Sequence, residues 1–226
     1  MRFFKQSFGF GALLCGLFLS ANIAQATLIT NGSFETGPYP EGFITLGIGN
    51  TSITGWTVTG GNIDYIGTYW VASDGSRSLD MNGTTTGTVS QSFSTVIGTT
   101  YEVLFDMAGN TDSGPTIKPL QVAAGEGAAV FTFDITGHSR SNMGWETKSW
   151  SFTATDPTTT LQFSSLTEDG CCYGAALDNV RVDVLNSTPN STPTPEPSTM
   201  LLLSTGLVGL VGYGWQRRNR QQTSHI

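Results

Sequence analysis

The chain has 226 residues, only 12% of them charged, with 28 glycines and a formal net charge of −7. Between Thr27 and Pro197, five basic residues (Arg77, Lys118, Arg140, Lys148, Arg181) stand against all seventeen acidic ones, a balance of −12. An acidic surface with scattered cations argues against nucleic acid and anionic lipid as partners, and solubility outside the cell is the better account of it.

The first 26 residues read as a signal peptide. Arg2 and Lys5 supply a positive start, Phe8–Ser20 an apolar stretch, and Ala24-Gln25-Ala26 a small-residue cleavage site. The mature chain then starts at Thr27, and Cys15 is lost with the leader. Residues 27–185 are the size of one domain and long enough to bury a core without staples.

That domain reads as all-β. No stretch holds a helical period, and several segments alternate apolar and polar residues. Leu28–Phe34 is the first candidate strand, followed by Trp56–Val58, Asn62–Ile66, Arg77–Met81 and Thr88–Phe93. In Thr100–Met107, the residues Tyr101, Val103, Phe105 and Met107 share one face, opposite Glu102 and Asp106. Lys118–Ala123, Val130–Ile135, Ser149–Ala154, Thr160–Ser164 and a last strand through Val180, Val182 and Val184 complete the set. Turn signals such as Ser73-Asp74-Gly75, Asn82-Gly83 and Asp156-Pro157 separate them. Ten or so short strands with polar turns predict a two-sheet sandwich or jelly roll.

Cys171 and Cys172 are adjacent and are the only mature cysteines. An oxidising compartment permits a disulfide between them, and a free structural pair is the other reading.

Residues 186–198 form a Pro/Ser/Thr stalk, and 199–215 hold 17 residues without a charge. As a helix that run spans about 26 Å, at the short end for a hydrocarbon core. Arg217, Arg218 and Arg220 in the basic tail 216–226 stay cytoplasmic by the positive-inside rule, which puts the bulk of the chain outside. An ordinary C-terminal anchor fits the same residues. The order of Pro195-Glu196-Pro197, apolar run and arginines resembles the PEP-CTERM sorting signal of Gram-negative bacteria. The resemblance implies an exosortase as partner, a membrane helix that holds the chain before processing, and export to the cell surface or medium.

The domain carries a second resemblance. Its series is Asn31-Gly-Ser-Phe-Glu35, Gly55-Trp56, Asn62-Ile-Asp-Tyr-Ile-Gly67 with Trp70, Asp74-Gly-Ser-Arg-Ser-Leu-Asp80, Val89-Ser-Gln-Ser-Phe93, Ala108-Gly-Asn110, Asn142-Met-Gly-Trp145 and Ala176-Leu-Asp-Asn-Val180. It resembles the choice-of-anchor C family and is similar to a plant cell-wall family of galactose-binding-like domains. One departure is Ala175, where the family has proline. The resemblance implies a galactose-binding-like jelly roll with one structural calcium, held by Glu35 and Asp178, with Asp74 offering a carbonyl. Calcium takes six to eight hard oxygen ligands, which two carboxylates on terminal strands can begin to supply. The alternative is that Glu35 caps a turn and Asp178 accepts from backbone amides.

Sugar binding needs aromatic faces, on which the C–H face of a pyranose stacks while edge groups bond its hydroxyls. Tyr65, Tyr69, Trp70 and Trp145 are the candidates, each with core packing as its alternative, and Asn110 and Asp112 are candidate polar edges. Trp56 is read as core. Sixteen carboxylates lie between Glu35 and Asp183, but no hydrolytic motif frames a pair, and His138 lies in a turn. The expectation is a non-catalytic, surface-sorted module for extracellular polysaccharide associated with biofilm. A structural adhesion module is the alternative, with a glycosidase or lyase behind it.

Overall fold

The computed structural model describes residues 28–168 and 171–185. The leader, the stalk with Pro195, Glu196 and Pro197, the apolar run 199–215 and the tail with Arg217 and Arg218 lie outside them. Among the described residues there is no helix long and apolar enough to cross a membrane.

The described residues form eleven strands, in chain order β1 (Phe43–Gly47), β2 (Thr57–Gly60), β3 (Asn62–Ile66), β4 (Ser78–Asp80), β5 (Thr88–Ser94), β6 (Thr100–Gly109), β7 (Ile117–Ala124), β8 (Gly127–Asp134), β9 (Glu146–Thr153), β10 (Thr158–Ser165) and β11 (Ala175–Val184). They form two antiparallel sheets, ordered β1-β3-β4-β11-β6-β9 and β2-β5-β10-β7-β8. This is the all-β sandwich of jelly-roll type that the alternation predicts.

The core follows from the period of two. Tyr101, Val103, Phe105 and Met107 of β6 point inward, and Val89, Leu120, Val122, Leu161 and Phe163 meet them from the second sheet. Phe105 crosses the gap to Phe163 at 5.1 Å between ring centroids, edge to face. Trp56 lies in the same core, 2% exposed, with its indole N–H donated to the Asn31 carbonyl. In β11 the register shifts between Asp178 and Arg181, and Asn179 has φ +50°. The bulge resets the alternation, so Leu177 and Val180 both point into the core although three positions apart.

Leu28–Phe34 is not a strand. Asn31 and Phe34 have φ of +54° and +59°, which breaks an extended run. The segment is a turn whose Asn31 side chain bonds Thr36 and the Thr54 carbonyl, while Phe34 is fully buried. Gly32 presses on β11: a Cβ there would lie 1.9 Å from the Val180 carbonyl oxygen. The missed strand is β1, where both apolar and polar residues are mostly exposed.

Gly32→Ala should therefore destabilise the protein by about 1–3 kcal/mol through forced backbone movement. Gly47→Ala, with nothing within 4 Å of its Cβ, should stay within about 0.5 kcal/mol. Chemical denaturation of both variants checks the contrast.

Candidate functional site

Alternation sends Asp64 and Ile66 of β3 to the outer face of the six-stranded sheet, away from Ile63 and Tyr65. Register then aligns them. Asp64 pairs with Thr45 of β1 on one side and with Asp80 of β4 on the other, and Phe43 pairs with Ile66. This end of the outer face is partly covered, with Phe43 and Thr45 still exposed. The chain after β3 and the Cys171–Tyr173 loop cover it, leaving a pocket of about 310 Å³. Phe43, Tyr69, Trp70 and Tyr173 supply its rings, and Thr45, Asp64, Asp80 and Asn110 its polar groups, with Cys172 at the edge.

The floor is built around Asp80, which is 1% exposed. One of its oxygens accepts from the backbone N–H of Asn82 and of Gly174, both at 3.0 Å. The other accepts from the Asn110 amide at 2.8 Å. A Cβ at Gly174 would lie 2.7 Å from both the Asn82 nitrogen and the Asp80 carboxylate, so only glycine lets this loop close. Burial pushes the Asp80 carboxyl up to about 8, helped by the neighbouring Asp64 charge and opposed by its three hydrogen bonds. Asp64 is also pushed up by burial, against the Thr45 hydroxyl, which donates to its Oδ1 at 2.6 Å.

The rim is tied by carbonyl contacts. Cys171 and Cys172 form a disulfide between adjacent residues, and Cys172 has φ +59°. Asn110 donates to the Cys172 carbonyl at 3.1 Å. The fully buried Lys118 donates from Nζ to the carbonyls of Tyr173, at 2.6 Å, and Ser113, at 2.9 Å. On the other side, Arg140 bonds Asp112 at 2.6 Å and lies 3.9 Å over the Tyr69 ring. Tyr69 donates its hydroxyl to Asp112. Burial and the Asp112 carboxylate push that phenol up to about 12.

The four candidate sugar-binding aromatics separate. Tyr69 and Trp70 line the pocket, and Trp70 fixes its ring by donating to the Ser78 hydroxyl at 2.8 Å. Tyr65 is fully buried and donates to the Phe34 carbonyl, so its ring belongs to the core. Trp145 packs outside the pocket with its indole N–H on the Val71 carbonyl at 2.9 Å. Asn110 is at the floor, and Asp112 holds Tyr69 from behind. Sequence reasoning passed over Phe43, Thr45, Asp64 and Asp80. Nothing local marks them: Asp64 and Asp80 read as polar positions of short strands, and only the register sets them side by side.

Glu35, Asp178 and Asp74 meet elsewhere, on the Ser73–Arg77 turn. Glu35 accepts from the backbone N–H of Ser76 and Arg77, both at 2.7 Å, and from the Ser76 hydroxyl at 2.9 Å. Asp178 accepts from the N–H of Ser73, Asp74 and Asn179 at 2.6–2.9 Å. The Arg77 guanidinium bonds the Glu35 carbonyl and lies 4.0 Å from its carboxylate. These oxygens face N–H donors and a resident cation, a donor set that does not fit calcium. Among the described residues no three His, Cys, Asp or Glu side chains group as metal ligands. Burial pushes Asp178 up to about 7, against its three amide donors.

The family described as protein of unknown function (DUF642) matches residues 27–183, and the chain belongs to it. This is the plant cell-wall-related family that the motif series resembles. The PEP-CTERM protein-sorting motif matches residues 193–218, which marks the chain for export and exosortase processing. Halomucin of Haloquadratum walsbyi is 31% identical over 187 residues, 79% of this chain and 2% of that protein. The chain thus spans a small fraction of the curated relative it matches. Solved structures similar to it include TmCBM61 in complex with beta-1,4-galactotriose, at 12% identity and TM-score 0.44, covering 71% of this chain and 99% of that one. Another is CBM35 from Paenibacillus barcinonensis, at 19% identity and TM-score 0.41, covering 62% and 98%.

Two predictions follow from the carboxylates. A carboxyl whose pKa is raised on folding keeps its proton in the folded chain and gives it up in the unfolded one. Asp80 and Asp178 therefore lend stability that is whole below their ordinary pKa near 4 and is lost as pH rises through about 7 and 8. Denaturation midpoints should fall across that window, and Asp178→Asn should flatten the fall. Melting with calcium and with chelator should give the same midpoint. A calcium-dependent rise that Glu35→Ala removes would restore the metal reading.

Proposed function

We propose that this protein is an exported, non-catalytic module that binds extracellular polysaccharide through the pocket between Phe43 and Tyr173. The observation that carries the reading is the pairing of aromatic walls with a polar floor in one small cavity. A pyranose offers an apolar C–H face and a rim of hydroxyls, and such a cavity answers both. Phe43 is 43% exposed at the mouth, and its ring meets Tyr69 edge to face at 5.1 Å. A ring seated there can reach Thr45, Asp64 and Asn110 with its hydroxyls.

The sorting motif supports the extracellular half of the reading, and a polysaccharide of the cell's own surface or biofilm is the ligand source we favour. Catalysis is disfavoured by the state of Asp80. Glycosidic cleavage needs two carboxyl groups free to act on the bond. Asp80 is buried and its oxygens are engaged by Asn82, Gly174 and Asn110.

Phe43→Ala should leave the fold intact, because the side chain is at the surface, and weaken polysaccharide binding about tenfold through lost stacking. Affinity electrophoresis of the full chain against neutral, acidic and amino polysaccharides measures it. Failure of every polysaccharide to retard the wild-type protein would leave the adhesion reading in its place.

A further inference from the structure

We infer that the pocket takes a sugar bearing a free amino group, with the ammonium seated on Asp64. This rests on the pocket being the sugar site, and adds the chemical class of its ligand. Asp64 is 7% exposed and lines the pocket. Its Oδ1 accepts from Thr45, while no hydrogen bond from the described residues reaches its Oδ2. A carboxylate so enclosed is ordinarily paired with a cation. Among the described residues none is supplied here: those lining the pocket include no lysine, arginine or histidine.

The cations of the domain are placed elsewhere. Arg77 serves Glu35 and lies over the Tyr39 ring at 4.8 Å. Arg140 is held by Asp112, and Lys148 pairs with Glu146. Lys118 donates to the carbonyls behind the rim, and Arg181 lies beyond the bulge of β11 near Asp106. Asp64 thus faces the cavity with one oxygen that no described residue engages and no cation to balance it, while both oxygens of Asp80 are already taken. A ligand that brings a positive charge completes the site.

The walls say what carries that charge. A bare metal ion would find Thr45, Asn110, Asp64 and an Asp80 already engaged by three N–H donors, and would have no use for the four rings. An ammonium on a pyranose uses both halves: the charge meets Asp64 and the aromatic faces, and the C–H face of the ring stacks. An acidic sugar is rejected by the same floor, because its carboxylate would sit against Asp64 with no cation between them. The pocket thereby separates amino sugars from uronates by charge, and from neutral or N-acetylated sugars by one charge-assisted hydrogen bond.

The test uses the full chain in a polyoxyethylene detergent, which carries no sugar headgroup. Fully deacetylated glucosamine oligomers, their N-acetylated counterparts, neutral cello-oligosaccharides and oligogalacturonate are titrated at a pH where the amine is protonated. The amine form is expected to bind about tenfold to a hundredfold more tightly than the N-acetyl form, the yield of one hydrogen bond to a charged partner. Added salt should weaken that advantage, and Asp64→Asn should abolish it while leaving the melting temperature close to wild type. Equal affinity for the amine and N-acetyl forms, or tighter binding of the uronate, overturns the inference. If neutral sugars bind in a Phe43-dependent way without preference for the amine, the pocket reading stands and the charge inference falls. If nothing binds, both fall. Calcium chloride alone protecting the pocket, in a way that Asp64→Asn removes, would assign the site to a metal instead.

Discussion

One buried carboxylate organises this end of the sandwich. Asp80 closes a three-residue strand, β4, that joins β3 to β11 in the sheet. Its oxygens receive N–H groups from its own turn at Asn82, from the Gly174 loop and from Asn110 at the end of β6. Three segments far apart in sequence therefore converge on one side chain. The Met81 N–H on the Ala175 carbonyl and the Asn110 N–H on the Gly174 carbonyl, both at 2.9 Å, run parallel to these bonds. Burying a carboxyl costs free energy, which three donors and partial protonation offset. The pocket is the space left on the outer side of this knot.

A second knot ties the chain termini of the domain to the middle. Glu35, Asp106 and Asp178 all reach the Ser73–Arg77 turn, from the N-terminal turn, β6 and β11 in that order. Asp106 takes the Ser73 and Thr147 hydroxyls and the Asn179 amide, which outweigh burial and hold its carboxyl below the usual range. The turn thus presents backbone N–H groups where a calcium site would present oxygens. Arg77 completes it, with its guanidinium between the Tyr39 and Tyr65 rings and Glu35. The opening Asn-Gly-Ser-Phe-Glu motif reads physically in these terms: a left-handed turn, a close approach, a core ring and a clamp.

Most of the sheet structure was legible because alternation is local. β6, β8, β9 and the end of β11 announce their faces in the order of their residues. What failed was local in a different way. Leu28–Phe34 begins apolar but carries Asn31-Gly32, the same turn dipeptide as Asn82-Gly83, and the positive φ of Asn31 and Phe34, held by contacts with Thr36, Thr54 and Val180, makes it a turn. The site was half legible. Tyr69, Trp70 and Asn110 carry side-chain chemistry that suggests a sugar site by itself. Asp64 and Asp80 look like ordinary solvent-facing positions of half-buried strands. They become a pocket floor only because the segment after β3 and the Cys171–Tyr173 loop fold over the sheet, and strand register, not sequence spacing, sets them side by side.

The vicinal disulfide links the site to the sorting signal. A ring closed between neighbouring residues removes backbone freedom at the loop that carries Tyr173, and Cys172 sits there in a left-handed conformation that few residues adopt readily. Less ordering is then left for a ligand to impose, which is the usual route by which a small pocket gains affinity. Such a bond forms in an oxidising compartment and not in the cytosol. The sorting motif at residues 193–218 marks the chain as one that is exported past that boundary. Export and completion of the rim therefore coincide: the Asn110 and Lys118 contacts are available on folding, and the disulfide adds its constraint only outside the cytosol.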